Sequence, residues 1–243
     1  MPVVPSGIVA CLFDLDGVLT GTARQHAAAW KQMFDAFLER RADPADGPFV
    51  PFRQSDYERY VDGKPRLDGV RSFLASRHIT LPEGAADDPE SAETVHGLGA
   101  RKNALVLRLI REQGVDVYEG SVRYVRAVRD LDLRRAVVTS SKNAGEIIAA
   151  AGLADLFEVR VDGVVAERES LRGKPAPDTF VAAARALGVD PAASAVFEDA
   201  LAGVEAGRAG GFGWVVGVDR VGHAEALRQH GADVVVSDLA ELL

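Results

Sequence analysis

Five short apolar runs, each followed by a segment of helical periodicity, constrain this chain more than any other feature. They are Ile8–Phe13, Arg135–Thr139, Ala195–Phe197, Gly213–Val218 and Asp233–Val236. Runs this short with no polar face suit strands buried on both sides. Strands of that kind alternating with helices suit a parallel sheet covered on its two faces. Helices are expected at Ala144–Ala151, Thr179–Leu187 and Leu201–Ala209, the last two closed by Gly188 and Gly210.

Residues 23 to about 111 break the rhythm. They hold helical patterns only, from "RQHAAAWKQMFDAFLERR" to "RKNALVLRLIREQG", separated by the loop-like stretches "ADPADGPFVPF" and "LPEGAADDPE". The expected class is therefore α/β: a Rossmann-like parallel sheet core with an inserted all-helical domain. The core would be discontinuous, 1–22 and 112–243, with the insertion at 23–111. The two crossings between them could act as hinges.

A chain of 243 residues, 47% of them hydrophobic, can bury one large core or two small ones. It has no apolar run long enough to span a bilayer and opens on a non-basic stretch, so neither a membrane span nor a signal peptide is expected. A net charge of −8 argues against a nucleic-acid or anionic-membrane partner, though not against a small anionic substrate held by a few local cations. The single cysteine, Cys11, lies within the first apolar run; a buried inert thiol in a reducing cytoplasm is expected. Only five of the 28 basic residues are lysine: Lys31, Lys64, Lys102, Lys142 and Lys174. Both asparagines, Asn103 and Asn143, directly follow a lysine. In an arginine-rich chain, such lysines mark places where a compact point charge is wanted rather than a planar fork.

Ligands of a parallel sheet collect at the carboxyl ends of its strands. After the first run stand Asp14 and Asp16; after the second, Thr139, Ser140, Ser141, Lys142 and Asn143; after the third, Glu198 and Asp199. Lys174 lies between the second and third, just before a proline-started helix. Taken singly, Asn143 with Glu146 is also a capping box, Lys174 a loop lysine, and each acidic pair a turn. Together they make an all-oxygen acidic site, which selects a hard cation such as Mg²⁺. Hydroxyls and a helix N-terminus next to it favour a phosphate. A metal, a nucleophilic carboxylate and a cationic clamp describe phosphoryl transfer through an acyl-phosphate.

"DLDGVLTGT", "VVTSSKN", "GKPAPD" and "VFEDA" resemble, in order and spacing, the four motifs of the haloacid dehalogenase superfamily of phosphotransferases. The resemblance implies that Asp14 is the nucleophile and Asp16 the general acid and base. Thr139 and Lys174 would bind the transferring phosphoryl group. Asp14, the carbonyl of Asp16, Glu198 and Asp199 would hold Mg²⁺. The helical insertion stands where this superfamily carries a cap that selects the substrate. Within it, "VDGKPRLDGV" and "ARKN" look like the β-phosphoglucomutase branch. That likeness gives Gly63, Lys64 and Arg66 a substrate-loop role, with Arg66 on the distal phosphate and Lys142 and Asn143 on the core side; Ser140 and Ser141 are counted as substrate-binding beside them. Lys102 would meet the sugar phosphate, Trp30 the sugar, and Thr22 and His26 would couple Asp16 to cap closure. Gly21 departs from the pattern, which usually carries an acidic residue there.

The function implied is a mutase interconverting β-glucose 1-phosphate and glucose 6-phosphate through a bound 1,6-bisphosphate, working as a cytoplasmic monomer on a small sugar phosphate. A sugar-phosphate phosphatase on the same core is the alternative. A phosphorylated signalling receiver would use similar residues, but is shorter and has no helical insertion. His78, His96, His223 and His230 show no ligand spacing. Trp214 reads as core, Gly203 and Gly207 as close helix–sheet packing. "GGFGWVVG" precedes a strand and so is no dinucleotide fingerprint.

Overall fold

The computed structural model describes residues 4–42 and 49–243. Part of the stretch "ADPADGPFVPF", residues 43–48, lies outside the described residues. The chain divides into two compact units. One comprises Met1–Gly21, Gly63–Pro65 and Val115–Leu243, the other Thr22–Asp62 and Arg66–Gly114.

The second unit is helical: α1 (Ala23–Arg41), α2 (Gln54–Asp56) running into a π turn at Tyr57–Val61, α3 (Arg66–Ser76) and α4 (Val95–Gln113). α4 starts at Thr94, whose hydroxyl accepts from the Gly97 amide at 2.9 Å, and stops at Gly114 with φ +78°. Trp30, Phe34, Phe52 and Phe73 form this unit's aromatic centre, with successive ring centroids 4.1–5.3 Å apart. Burying each such ring contributes about 1.5–3 kcal/mol.

The first unit carries β1 (Ala10–Phe13), α5 (Glu119–Arg129), β2 (Arg134–Val138), α6 (Ala144–Ala150), β3 (Val159–Val161), α7 (Gly163–Arg168), α8 (Asp178–Leu187), β4 (Ser194–Glu198), α9 (Leu201–Ala209), β5 (Trp214–Val218), α10 (Ala224–Gln229) and β6 (Val234–Val236). All six strands are parallel, in the order β3-β2-β1-β4-β5-β6. This is the doubly wound arrangement, whose order reverses beside β1, where ligand crevices form. Ala10 and Leu12 of β1 enter one apolar layer with Phe180, Leu187 and Val204. Phe13, on the alternate face, stacks on Phe197 at 4.5 Å and meets Tyr124 edge-on at 6.3 Å. Both faces of β1 are therefore dry, which is why its run shows no polar alternation.

Two expectations are corrected, those for β3 and for Asn143. The edge strand β3 is not among the expected runs; three residues, one of them the half-exposed Arg160, are too short to show a period. The helix after Lys174 is as expected to within a residue, running Asp178–Leu187 with Pro177 at its N-cap. Asn143 does occupy the N-cap of α6, but its side chain accepts no capping hydrogen bond, so the expected capping box with Glu146 is not formed. Trp214 is buried, as expected. Cys11 is fully buried, and burial pushes its thiol up to about 12 from an ordinary 9.0, consistent with an inert thiol.

Candidate active site

β1 delivers Asp14 to the sheet's carboxyl edge, where its amide still donates to the Phe197 carbonyl at 2.9 Å. β4 ends in Glu198, followed by Asp199. Carboxylate oxygens of Asp14, Glu198 and Asp199 lie within 4.8 Å of one another, all three residues buried. Asp16 lies close enough to add its charge to the field on Asp14, but its carboxylate is not one of the three clustered groups.

Lys174 is the cation built into this cluster. Its ammonium is 1% exposed and donates to Asp14 Oδ1 at 2.5 Å, to the Val138 carbonyl at 3.2 Å, and to Glu198 Oε1. The reading of Lys174 as a solvated loop residue is thereby excluded. Burial pulls the ammonium down, but the Asp14 and Glu198 carboxylates outweigh it and hold its pKa above the ordinary value. Asp14 is pushed well up, first by burial and then by Glu198 and Asp16, with Lys174 opposing. Three packed carboxylates and one fixed ammonium leave a net negative pocket of hard oxygen donors. That donor set fits a divalent cation.

Two glycines make the cluster possible. Gly17 has φ +99°, and a Cβ there would lie 1.8 Å from Asp199 Oδ2. At Gly203 on α9 a Cβ would lie 1.8 Å from Glu198 Oε1. A Cβ at Gly207, one turn on, would lie 3.2–3.4 Å from Val196 and Val215 of the sheet, which is the expected close packing. Gly203 meets the same expectation, since Glu198 ends β4; here the part of the sheet it makes room for is a carboxylate.

The loop after β2 brings the hydroxyls. Thr139 Oγ1 donates to Asp16 Oδ2 at 3.5 Å and accepts from the Ser141 amide at 3.1 Å. Ser141 Oγ accepts from the Asn143 amide at 3.2 Å, and Ser140 Oγ donates to the Gly63 carbonyl at 2.7 Å. Gly63 and Lys64 thus belong, by their contacts, to the unit that holds the acidic cluster. Lys142 is ion-paired with Glu167 at 2.7 Å, both side chains well exposed. Sequence reasoning missed the support under this loop. The Gly163 amide donates to the Ser141 carbonyl at 3.1 Å, and a Cβ at Gly163 would lie 2.7 Å from the Ser140 carbonyl. The signal, a glycine just after an apolar strand, was hidden because β3 itself was hidden.

The other candidates fall in the helical unit. Thr22 is buried and His26 follows it on α1, with the His26 amide donating to the Thr22 carbonyl at 2.9 Å. Lys102 is buried, its ammonium 3.1 Å from His26 Nδ1 and 5.1 Å above the Trp30 ring. Arg66 opens α3. Of the remaining histidines, His96 pairs with Glu83 at 3.8 Å and His230 with Glu205 at 3.4 Å; His78 is exposed. Among the described residues, no helix is long and apolar enough to cross a membrane.

A family model described as haloacid dehalogenase-like hydrolase matches residues 8–211. The chain is 57% identical to a β-phosphoglucomutase of Mycobacterium bovis, over 99% of this chain and 93% of that protein. It is 31% identical to a β-phosphoglucomutase of Bacillus subtilis, over 96% of this chain and 91% of the relative. A crystal structure of β-phosphoglucomutase from Clostridium difficile superposes with a TM-score of 0.75 at 25% identity, covering 97% of this chain and 93% of that one.

Proposed function

The chain belongs to the haloacid dehalogenase-like hydrolase family, and from that premise we propose that it is a β-phosphoglucomutase. It interconverts β-D-glucose 1-phosphate and D-glucose 6-phosphate through an aspartyl-phosphate on Asp14 and a β-glucose 1,6-bisphosphate intermediate. The observation that carries the reading is the 57% identity to the mycobacterial enzyme across nearly the whole of both chains. The buried cluster of Asp14, Glu198 and Asp199, with Lys174 bonded to the first two, supports it chemically.

In this reading the 6-hydroxyl of β-glucose 1-phosphate gives its proton to Asp16 as its oxygen attacks the phosphorus on Asp14. The phosphorus–Asp14 bond breaks, leaving a bisphosphate. The bisphosphate turns over, Asp14 attacks the phosphorus on O1, and Asp16 returns the proton to O1 as that bond breaks. Thr139 and Lys174 hold the phosphoryl oxygens, Arg66 grips the non-transferring phosphate with Lys142 and Asn143 on the core side, and Ser140 and Ser141 are counted with the substrate-binding residues. Lys64, Arg66, Lys102 and Trp30 are assigned to substrate recognition, and Thr22 and His26 to the control of Asp16, on the strength of the resemblance of their motifs. Asp14, Glu198 and Asp199, with the Asp16 carbonyl, would hold Mg²⁺, which when bound offsets charge on the phosphoryl oxygens. The chain is read as a cytoplasmic monomer.

The test is incubation with Mg²⁺, β-glucose 1-phosphate and a trace of the 1,6-bisphosphate, following glucose 6-phosphate and free phosphate together, with the α-anomer as control. Glucose 6-phosphate from the β-anomer alone, with little free phosphate, is expected. Free phosphate without glucose 6-phosphate would overturn the mutase and leave a phosphatase on the same core.

A further inference from the structure

Arg220, two residues beyond the end of β5, has no part in the motifs above, yet its guanidinium bonds to the turn beside them. Its side chain is 15% exposed. Nε donates to the Gly17 carbonyl at 2.8 Å, and one terminal nitrogen donates to the Ser237 carbonyl at 2.8 Å and to Asp238 Oδ2 at 3.1 Å. The other reaches the Val18 carbonyl at 3.5 Å and Ser121 Oγ at 3.4 Å. All five guanidinium donors thus have an acceptor, and the plane stacks on the Tyr118 ring 3.6 Å from its centroid.

The acceptors come from three places: the loop after β6, the first turn of α5, and the turn directly after Asp16. That last turn is otherwise held by its own backbone and by the returning chain. Gly17 sits at φ +99°, and its amide donates to the Thr20 carbonyl at 2.7 Å. Gly21 donates to the Asp116 carbonyl at 2.8 Å and Tyr118 to the Leu19 carbonyl at 3.0 Å. Arg220 joins both parts, stacking on Tyr118 of the returning chain while it grips Gly17 and Val18 of the turn.

We infer that Arg220 is a positioning residue for Asp16: by fixing the Gly17 and Val18 carbonyls it fixes the backbone on which the acid stands. The inference rests on the role of Asp16 given under the proposed function. Proton donation demands a heavy-atom approach of about 2.6–3.2 Å, so a turn that wanders costs the proton transfer before it costs the fold. Lysine can replace only part of this, because an ammonium offers three donors and no flat face.

One chemical step separates positioning from general support. Asp14 is phosphorylated by β-glucose 1,6-bisphosphate only if the departing sugar oxygen receives a proton, whereas acetyl phosphate loses acetate, which needs none. Single-turnover phosphorylation of Asp14 by each donor is compared in the natural chain, Arg220→Met and Arg220→Lys. The expected result is a loss of at least tenfold with the bisphosphate and less than threefold with acetyl phosphate in Arg220→Met, with a smaller loss of the same selectivity in Arg220→Lys. Equal losses from both donors, or none from either, would overturn the assignment. If Arg220→Met does not fold, the same contrast in Arg220→Lys decides. Should the natural chain accept acetyl phosphate but not the bisphosphate, the mutase reading fails separately. The contrast is then read on p-nitrophenyl against phenyl phosphate, whose leaving groups differ in the same sense.

Discussion

Asp14 concentrates the chemistry of this molecule in one side chain. It is buried, shares an ammonium with Glu198, and is raised well above the usual carboxylate range by that burial. Asp14→Asn keeps the shape, removes one of the packed negative charges and leaves Lys174 on Glu198. Turnover should fall by at least about 10⁴-fold, the scale of losing a covalent nucleophile. The thermal midpoint should move by no more than a few degrees, and a fall in turnover of less than about 100-fold would take the nucleophile elsewhere. Asp14 was legible because two acids directly ending a doubly buried strand have few structural reasons to be there. The side chain of Asn143 was not, because the N-cap position is set by the chain while the rotamer is set by its surroundings. The exposed pairing of Lys142 with Glu167 was equally hidden, since the partner comes from α7, 25 residues away.

Among the elements, α9 shows how a helix can serve a site through what it lacks. Glycine inside a helix costs about 0.8–1.0 kcal/mol relative to alanine, so Gly203→Ala should stabilise α9 taken alone. A methyl 1.8 Å from Glu198 Oε1 must instead push that carboxylate or the helix aside. Geometry wins over propensity, because the overlap is with a buried, hydrogen-bonded carboxylate; Glu198 Oε2 accepts from the Ala200 amide at 3.0 Å. Gly203→Ala is expected to weaken divalent-cation affinity about 10–100-fold, the range for disturbing a ligand's support. Calorimetric titration with Mg²⁺ checks it. Gly207→Ala meets only side-chain carbons of valine at 3.2–3.4 Å and should bind the cation normally; equal effects from the two would show that helix packing, not the carboxylate, is at stake. The strands with long apolar runs were legible to within a residue or two. β3 was not, because an edge strand of three residues carries too little pattern.

At the scale of the whole molecule, the chain is two compact units with separate apolar centres, one built on a parallel sheet and one on helices. Gly63–Pro65 is grouped with the sheet unit although the chain on either side of it is not. Arg66, the next residue, begins α3 in the helical unit. If it grips the distal phosphate as proposed, a guanidinium–phosphate bond worth about 1.5–3 kcal/mol is at stake. Arg66→Ala should then raise KM for β-glucose 1-phosphate by roughly tenfold or more at that energy. An unchanged KM would remove Arg66 from substrate binding.

The sequence by itself determined the α/β class, the helical insertion and the acidic motifs. Each of these depends on local chemistry: apolar period, turn residues, and acids at strand ends. Only the tertiary structure decided that Lys174 bridges Asp14 and Glu198 across 160 and 24 residues of chain, and that Gly203 clears space for a carboxylate. It alone shows Arg220 reaching back 203 residues to the turn after Asp16. Contacts at such separations are set by the closing of the sheet around β1, and no periodicity along the chain records which side chains that closing brings within reach.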